Sequence, residues 1–156
     1  MDNIEWHCKV FAELTVTELY EILKLRSEVF VVEQNCVYLD ADNKDVLCHH
    51  LFTLQNGTVA AYSRLLPPNI SFTEASIGRV LTNSLYRGSG LGIALMKQAI
   101  DSTLHLFDTE SIKIGAQLYL KSFYERLAFV QSSVQYDEDG IPHIEMLFKK
   151  NISSNL

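Results

Sequence analysis

The order of hydrophobic periodicities along the chain predicts an α/β (α+β) fold, with a mixed, mostly antiparallel central sheet covered by helices. Three observations carry that reading. An Asn56-Gly57 pair between two apolar runs signals an antiparallel hairpin, because both central turn residues need positive φ. From Ala75 onward the periods run strand, helix, strand, helix and then strands, an alternation that lays helices across a sheet. The 156 residues are 47% hydrophobic, enough for one core, so a single domain is expected over 1–150 with a polar tail at 151–156.

Each element has its own signal. Ile4, Trp6, Cys8 and Val10 alternate with polar residues and read as a half-buried first strand. Thr15-Val16-Thr17-Glu18 has capping-box spacing and opens a helix whose apolar stripe is Leu19, Ile22, Leu23, Val29 and Phe30. Val31 to Asp45 mixes apolar and acidic residues and reads as a second short helix or turn, then a solvated loop ending in Asp40-Ala41-Asp42-Asn43-Lys44-Asp45. Residues 49–54 and 59–66 form the arms of the hairpin, and Pro67-Pro68-Asn69 ends the second arm. A strand over 75–82, a long amphipathic helix from Leu91 to Phe107, a buried strand over 112–116 and a short helix over 121–127 follow. Two last strands, 129–135 and 143–148, are joined by Asp137-Glu138-Asp139-Gly140.

Composition narrows the function. Thirteen Lys and Arg stand against nineteen Asp and Glu, giving a net charge of -6 with no basic block, so no nucleic-acid partner is expected. The acidic balance leans weakly toward cationic small partners. No segment approaches the roughly 18 to 20 continuous apolar residues of a membrane span. The start, Met1-Asp2-Asn3-Ile4-Glu5-Trp6, lacks a basic region followed by an apolar block, so a cytoplasmic protein is expected. Cys8, Cys36 and Cys48 are an odd count at wide spacing and imply no disulfide framework. In Cys48-His49-His50, adjacent strand residues face opposite ways, so at most Cys48 and His50 could share an ion; a buried strand cysteine is the better reading and no metal is expected.

The most informative stretch is Arg87-Gly88-Ser89-Gly90-Leu91-Gly92, which follows a strand and opens a helix. Glycines there let backbone N–H groups converge on an anion at the positive end of the helix dipole. The P-loop pattern fails, because Ile93-Ala94 stand where Gly-Lys is required. The dinucleotide fingerprint also fails: Gly88-x-Gly90 reaches Ile93, and Gly90-x-Gly92 reaches Leu95. The pattern Gln/Arg-x-x-Gly-x-Gly/Ala is met by Arg87, Gly90 and Gly92, and here the chain resembles the GNAT superfamily of acyl-CoA-dependent N-acetyltransferases. Ile77 to Thr82 looks like that family's fourth strand, and Phe123-Tyr124-Glu125-Arg126-Leu127-Ala128-Phe129 like its second acyl-CoA motif. Ala128 stands where the family usually has Gly, for which a modest backbone adjustment is expected. Phe30 to Cys36, Gly115-Ala116-Gln117 and Asp139 to Ile144 resemble the ElaA-like branch, so the likeness covers most of the chain.

The resemblance implies a sheet of six to seven strands flanked by about four helices, with the fourth and fifth strands splayed. It implies acetyl-CoA as co-substrate, without a metal. The backbone of Arg87, Gly88, Ser89, Gly90, Leu91 and Gly92 would hold the pyrophosphate, and that of Val80, Leu81 and Thr82 the pantetheine arm. Tyr124 would protonate the departing thiolate, a step suited to a phenol of pKa about 10. No acid stands at the middle of the fourth strand, where Gly78 and Arg79 sit, so Glu33, His143 or a relayed water is the candidate base. The acceptor is expected to be a small-molecule or peptide amine, with monomer and homodimer both open. Two alternatives stand beside the enzyme: a GNAT-like module that holds or senses CoA without turnover, and an unrelated nucleotide-binding regulatory domain.

Overall fold

A computed structural model describes residues 3–151; the expected tail lies outside these except for its first residue. Eight strands form two four-stranded sheets. In the first, β1 (His7–Val10), β2 (His49–Gln55), β3 (Thr58–Leu66) and β4 (Ser76–Thr82) lie in chain order, all antiparallel. In the second, β8 (Ile141–Lys149) lies between β5 (Ser111–Gln117) and the short β6 (Val130–Gln131), and also pairs with β7 (Tyr136–Glu138).

One parallel bridge, Ala75 to Ile112, joins the sheets, and the Lys113 amide donates to the Ala75 carbonyl at 2.9 Å. Past that point β4 and β5 share no ladder among the described residues, so the expected splay is present. Three α-helices cover the sheets: α1 (Val16–Arg26), α2 (Leu91–Leu106) and α3 (Lys121–Glu125). The capping box that opens α1 is complete: Thr15 Oγ1 accepts from the Glu18 amide at 3.0 Å, and Glu18 Oε1 accepts from the Thr15 amide at 2.8 Å.

β3 explains the two-sided core. Its residues from Val59 to Leu66 are all buried, because α1 packs on one face of the sheet and α2 on the other. The α2 side holds Leu95, Met96, Ala99, Ile112, Ile144 and Met146. The α1 side holds Ile22, Leu25, Val29, Phe52 and Tyr62. At about 25 cal/mol per Å², such burial is the main stabilising contribution.

Two expectations need correction. The second short helix or turn expected within Val31 to Asp45 is a continuation of α1: a π-helical segment, Ser27–Glu33, ends in a turn at residues 34–35, and the chain from there to Lys44 is irregular. The last strands are also laid out differently. β6 stops at Gln131, and an eighth strand, β7, pairs with β8 across an Asp139-Gly140 turn with φ of 52° and 80°. The expected linker therefore supplies a strand and its turn, because two successive left-handed residues reverse the chain at once. β1 also begins later than expected; Ile4 and Trp6 pack on the core without pairing.

Candidate active site

The splay of β4 from β5 opens a cleft of about 1070 Å³. Its wall carries Thr82, Arg87, Gly92, Tyr124, Tyr136 and His143. The structure thus brings together residues from blocks far apart in sequence. Of the expected site residues, Val80, Leu81, Thr82, Arg87, Gly92, Tyr124, Glu33 and His143 all line it.

The α2 end is built from bare backbone. Gly90 is the N-cap at φ 81° and offers no side-chain cap; Gly88 has φ 80°. Only glycine takes both without strain. The first intrahelical bond recorded runs from the Ala94 amide to the Gly90 carbonyl at 3.2 Å, so the preceding amides of this turn have no helical acceptor. Such a terminus suits an anion. A Cβ on Gly92 would come within 3.9 Å of the Phe123 ring and Thr82 Cγ2, so this residue sits where β4, α2 and α3 meet. Arg87 arches over the loop, its Nε donating to the Thr82 carbonyl at 3.3 Å.

Glu33, from the π-helical segment, faces Arg87. Both Arg87 terminal nitrogens meet its carboxylate, Nη2 to Oε2 at 2.8 Å. The Arg87 hydrogen bonds hold the Glu33 carboxyl below the usual carboxylate range. Both side chains are about half exposed, so the pair closes the rim rather than the floor.

Tyr124 lies deeper, with its ring edge-on to Phe123 at 5.1 Å and to Phe129 at 5.8 Å. Its hydroxyl has no hydrogen-bond partner among the described residues. Burial, and then Tyr119 nearby, raises its pKa well above the ordinary phenol value, so the proton stays on the oxygen. The backbone places it: the Phe129 amide donates to the Tyr124 carbonyl at 3.1 Å and the Ala128 amide to the Glu125 carbonyl at 3.0 Å. This Schellman pairing ends α3 with Ala128 at φ 72°. The departure from Gly is therefore at a left-handed position.

His143 is buried on β8. Its Nδ1 lies 2.7 Å from the Ile141 carbonyl, which can only accept, so Nδ1 carries a proton. Nε2 lies 3.2 Å from Glu138 Oε2, and the ring stacks on Tyr136 at 5.9 Å. Gly115 makes room for this stack, since a Cβ there would meet the Tyr136 hydroxyl at 3.2 Å. Gln34 and Gln117 exchange amide hydrogen bonds at 3.3 and 3.2 Å across the cleft wall.

The segment expected to be a solvated loop is the floor of a buried ionic network. Arg26, 0% exposed, donates Nε to Asp40 Oδ2 at 2.8 Å and Nη1 to Asp45 Oδ1 at 2.7 Å. Arg64 binds Asp42 through two nitrogens, at 2.7 and 2.8 Å, and Asp45 at 3.0 Å. Arg79 reaches Asp40 Oδ1 at 2.8 Å and Asp42 Oδ2 at 3.3 Å. Burial pushes Asp42 up, but Arg64, the Lys44 amide and Arg79 more than offset it, leaving that carboxyl far below its usual range. Three arginines and three aspartates balance, which is how charge is tolerated here. The signal in the sequence was an arginine inside an apolar strand run, Ala60 to Leu66.

Cys48 and His50 are each engaged within the protein. The Cys48 thiol donates to the Lys44 carbonyl at 3.0 Å, and burial raises its pKa to about 11. The His50 nitrogens meet Tyr62 Oη at 2.7 Å and the Asp45 carbonyl at 2.8 Å. No group of three or more His, Cys, Asp or Glu fit to hold a metal occurs among the described residues.

Comparison with known proteins gives a consistent result. Residues 31–150 match the acetyltransferase (GNAT) domain family. A UPF0039 protein of Synechocystis sp. is 40% identical over 148 residues, covering 94% of this chain and 96% of that protein. Protein ElaA of Escherichia coli is 38% identical over 145 residues, 92% of this chain and 95% of its own. A crystal structure of an acyl-CoA N-acyltransferase from Pseudomonas aeruginosa superimposes with a TM-score of 0.88 at 42% identity, covering 94% of this chain and 99% of that one.

Proposed function

Since the chain belongs to the GNAT acetyltransferase family and stands beside ElaA within it, we propose that it moves an acetyl group from acetyl-CoA to a primary amine. The observation that carries this reading is the unpartnered Tyr124 hydroxyl in the same cleft as an uncapped α2 N-terminus, at the splay of β4 from β5. The co-substrate supplies an acyl thioester. In this reading, the amides from Arg87 to Gly92 donate to its pyrophosphate, and Glu33 holds Arg87 in place over that loop. The free edge of β4, at Val80, Leu81 and Thr82, hydrogen-bonds the pantetheine arm and polarises the thioester carbonyl through backbone donors.

The amine nitrogen attacks the carbonyl carbon, the C–S bond breaks, and Tyr124 gives its proton to the sulfur. The His143–Glu138 pair takes up the amine proton through a water: Nδ1 donates to the Ile141 carbonyl, and Nε2 and the Glu138 carboxylate share the proton between them. Glu138, 3.2 Å from Nε2, stabilises the imidazolium so formed. Glu33 supports the cofactor end and leaves the base role to this pair. No described helix is long and apolar enough to cross a membrane, which accords with the proposed cytoplasmic setting.

The test is a screen of amines for thiol release dependent on acetyl-CoA. Absence of release with every amine class, from polyamines to peptide N-termini, would remove the enzyme reading. On an active amine, Tyr124→Phe should lower kcat about 100-fold, or about 3 kcal/mol, while leaving acetyl-CoA affinity unchanged. A kcat within about twofold of wild type would retire Tyr124 as the proton donor.

A further inference from the structure

We propose that Arg79 is a positioning residue: its guanidinium, clamped to Asp40 and Asp42, holds a bulge in β4 that sets the backbone facing the scissile thioester. The inference rests on the acyl-transfer reading above. It begins from the strand register. Tyr62 of β3 pairs with Leu81 and Arg64 with Gly78, so two residues of β4, Arg79 and Val80, stand opposite Ser63 alone. That is a β-bulge, a device that bends a strand and re-aims its groups.

Arg79 adopts φ 49°, a left-handed conformation that a non-glycine residue reaches only at a cost. Glycine stands one position earlier, at Gly78, and does not relieve it. What holds Arg79 there is its own side chain. Nη2 donates to the Asp40 carbonyl at 3.0 Å and to Asp42 Oδ2 at 3.3 Å, and Nε lies 2.8 Å from Asp40 Oδ1 as an ion pair without hydrogen-bond alignment. The guanidinium carbon lies 5.7 Å from the centre of the Tyr38 ring. Asp40 is itself fixed, by buried Arg26 and by the Tyr38 hydroxyl at 2.7 Å. The clamp is therefore anchored to the core at one end and to a strained backbone at the other.

Gly78, Arg79 and Val80 line the cleft on the edge of β4 that faces β5 and carries no ladder there. Strain kept in place by an over-determined surround, at a cleft wall, is the arrangement expected of a pre-organised site. A tether, as opposed to a charge balance, makes a distinct prediction: the guanidinium must be bonded to the backbone it holds.

The test compares wild type, Arg79→Gly and Arg79→Lys. Glycine accepts the positive φ but cuts the tether. Arg79→Gly should lower kcat about 10- to 100-fold, keep the KM for acetyl-CoA within about threefold, and speed amide hydrogen exchange over 76–82 without ligand. Arg79→Lys, which keeps a shorter tether to the same carboxylates, should restore part of the kcat. Millimolar guanidinium added to Arg79→Gly should restore none, because a free ion balances Asp40 and Asp42 without holding the strand. For Arg79→Gly, a kcat within twofold of wild type, recovery with guanidinium, or a loss confined to acetyl-CoA affinity would each overturn the proposal. Should Arg79→Gly fail to fold, Arg79→Lys decides: a partial loss of kcat with faster exchange over 76–82 supports the clamp, and kcat and exchange both unchanged overturn it. Inactive wild type would strike the acyl-transfer reading instead, and the exchange measurement would still judge the clamp.

Discussion

Two regions of the cleft are made in opposite ways. At the α2 end, the turn from Arg87 to Gly92 leaves the helix N-terminus without a side-chain cap, Arg87 and Gly92 line the cleft, and the ion pair Arg87 to Glu33 is solvent-facing. Around Arg79, three arginines and three aspartates from α1, β3, β4 and the 34–45 segment meet largely buried, with Arg26 fully enclosed and Arg79 and Asp42 about a quarter exposed. The first arrangement is local and cheap to form. The second depends on the whole fold, and each charge in it depends on its neighbours. Binding by backbone and scaffolding by buried charge divide the cleft between them.

Removing one arginine from each region separates the two arrangements. Arg26→Met leaves Asp40 and Asp45 short of a buried partner and should cost about 3–5 kcal/mol, lowering Tm by roughly 10 °C or more. Arg87→Met, which removes an exposed partner, should cost about 0–1 kcal/mol and barely move Tm. Equal thermal shifts for the two variants would mean that burial does not separate these ion pairs. The next effect belongs to ligand binding. Gly90→Val puts a β-branched residue at a position of φ 81° and a side chain where the pyrophosphate would approach. Calorimetry should show acetyl-CoA binding weakened at least about 100-fold, near 3 kcal/mol, in a variant that stays folded. Wild-type affinity would remove the anion role from this loop. The smallest effect is a gain. Ala128→Gly relieves a left-handed alanine and should raise stability by about 0.5–1 kcal/mol, net of the entropy glycine adds to the unfolded chain. An equal or lower Tm would show that Ala128 carries no strain.

What the sequence disclosed follows the same division. The Thr15–Glu18 box, the Asn56-Gly57 turn and the α2 loop are each set by residues a few positions apart, and each stands where expected. Asp139-Gly140 carries the same turn signal as Asn56-Gly57, but its arm, Tyr136-Asp137-Glu138, is acidic and has no apolar alternation to mark a strand. The stretch from Val31 to Asp45 misled for a different reason. Its aspartates look solvated until Arg26, Arg64 and Arg79 arrive from elements 14 to 39 residues away. No local pattern encodes that meeting. The likeness to a known family supplied Tyr124 and the splay, which periodicity alone would not have given.

Among the described residues one bridge, Ala75 to Ile112, joins the two sheets, and this bears on how the chain assembles. Each sheet is contiguous in sequence, and α2 leads from one to the other. Every ladder of the first sheet joins strands that follow one another, whereas β5 must find β8 across β6 and β7. Each half nevertheless closes one long loop: β1 and β2 pair residues 39 to 45 positions apart, and β5 and β8 residues 26 to 38 apart. The cleft belongs to neither half, so the ability to hold a ligand there reports that both have reached their native pairing.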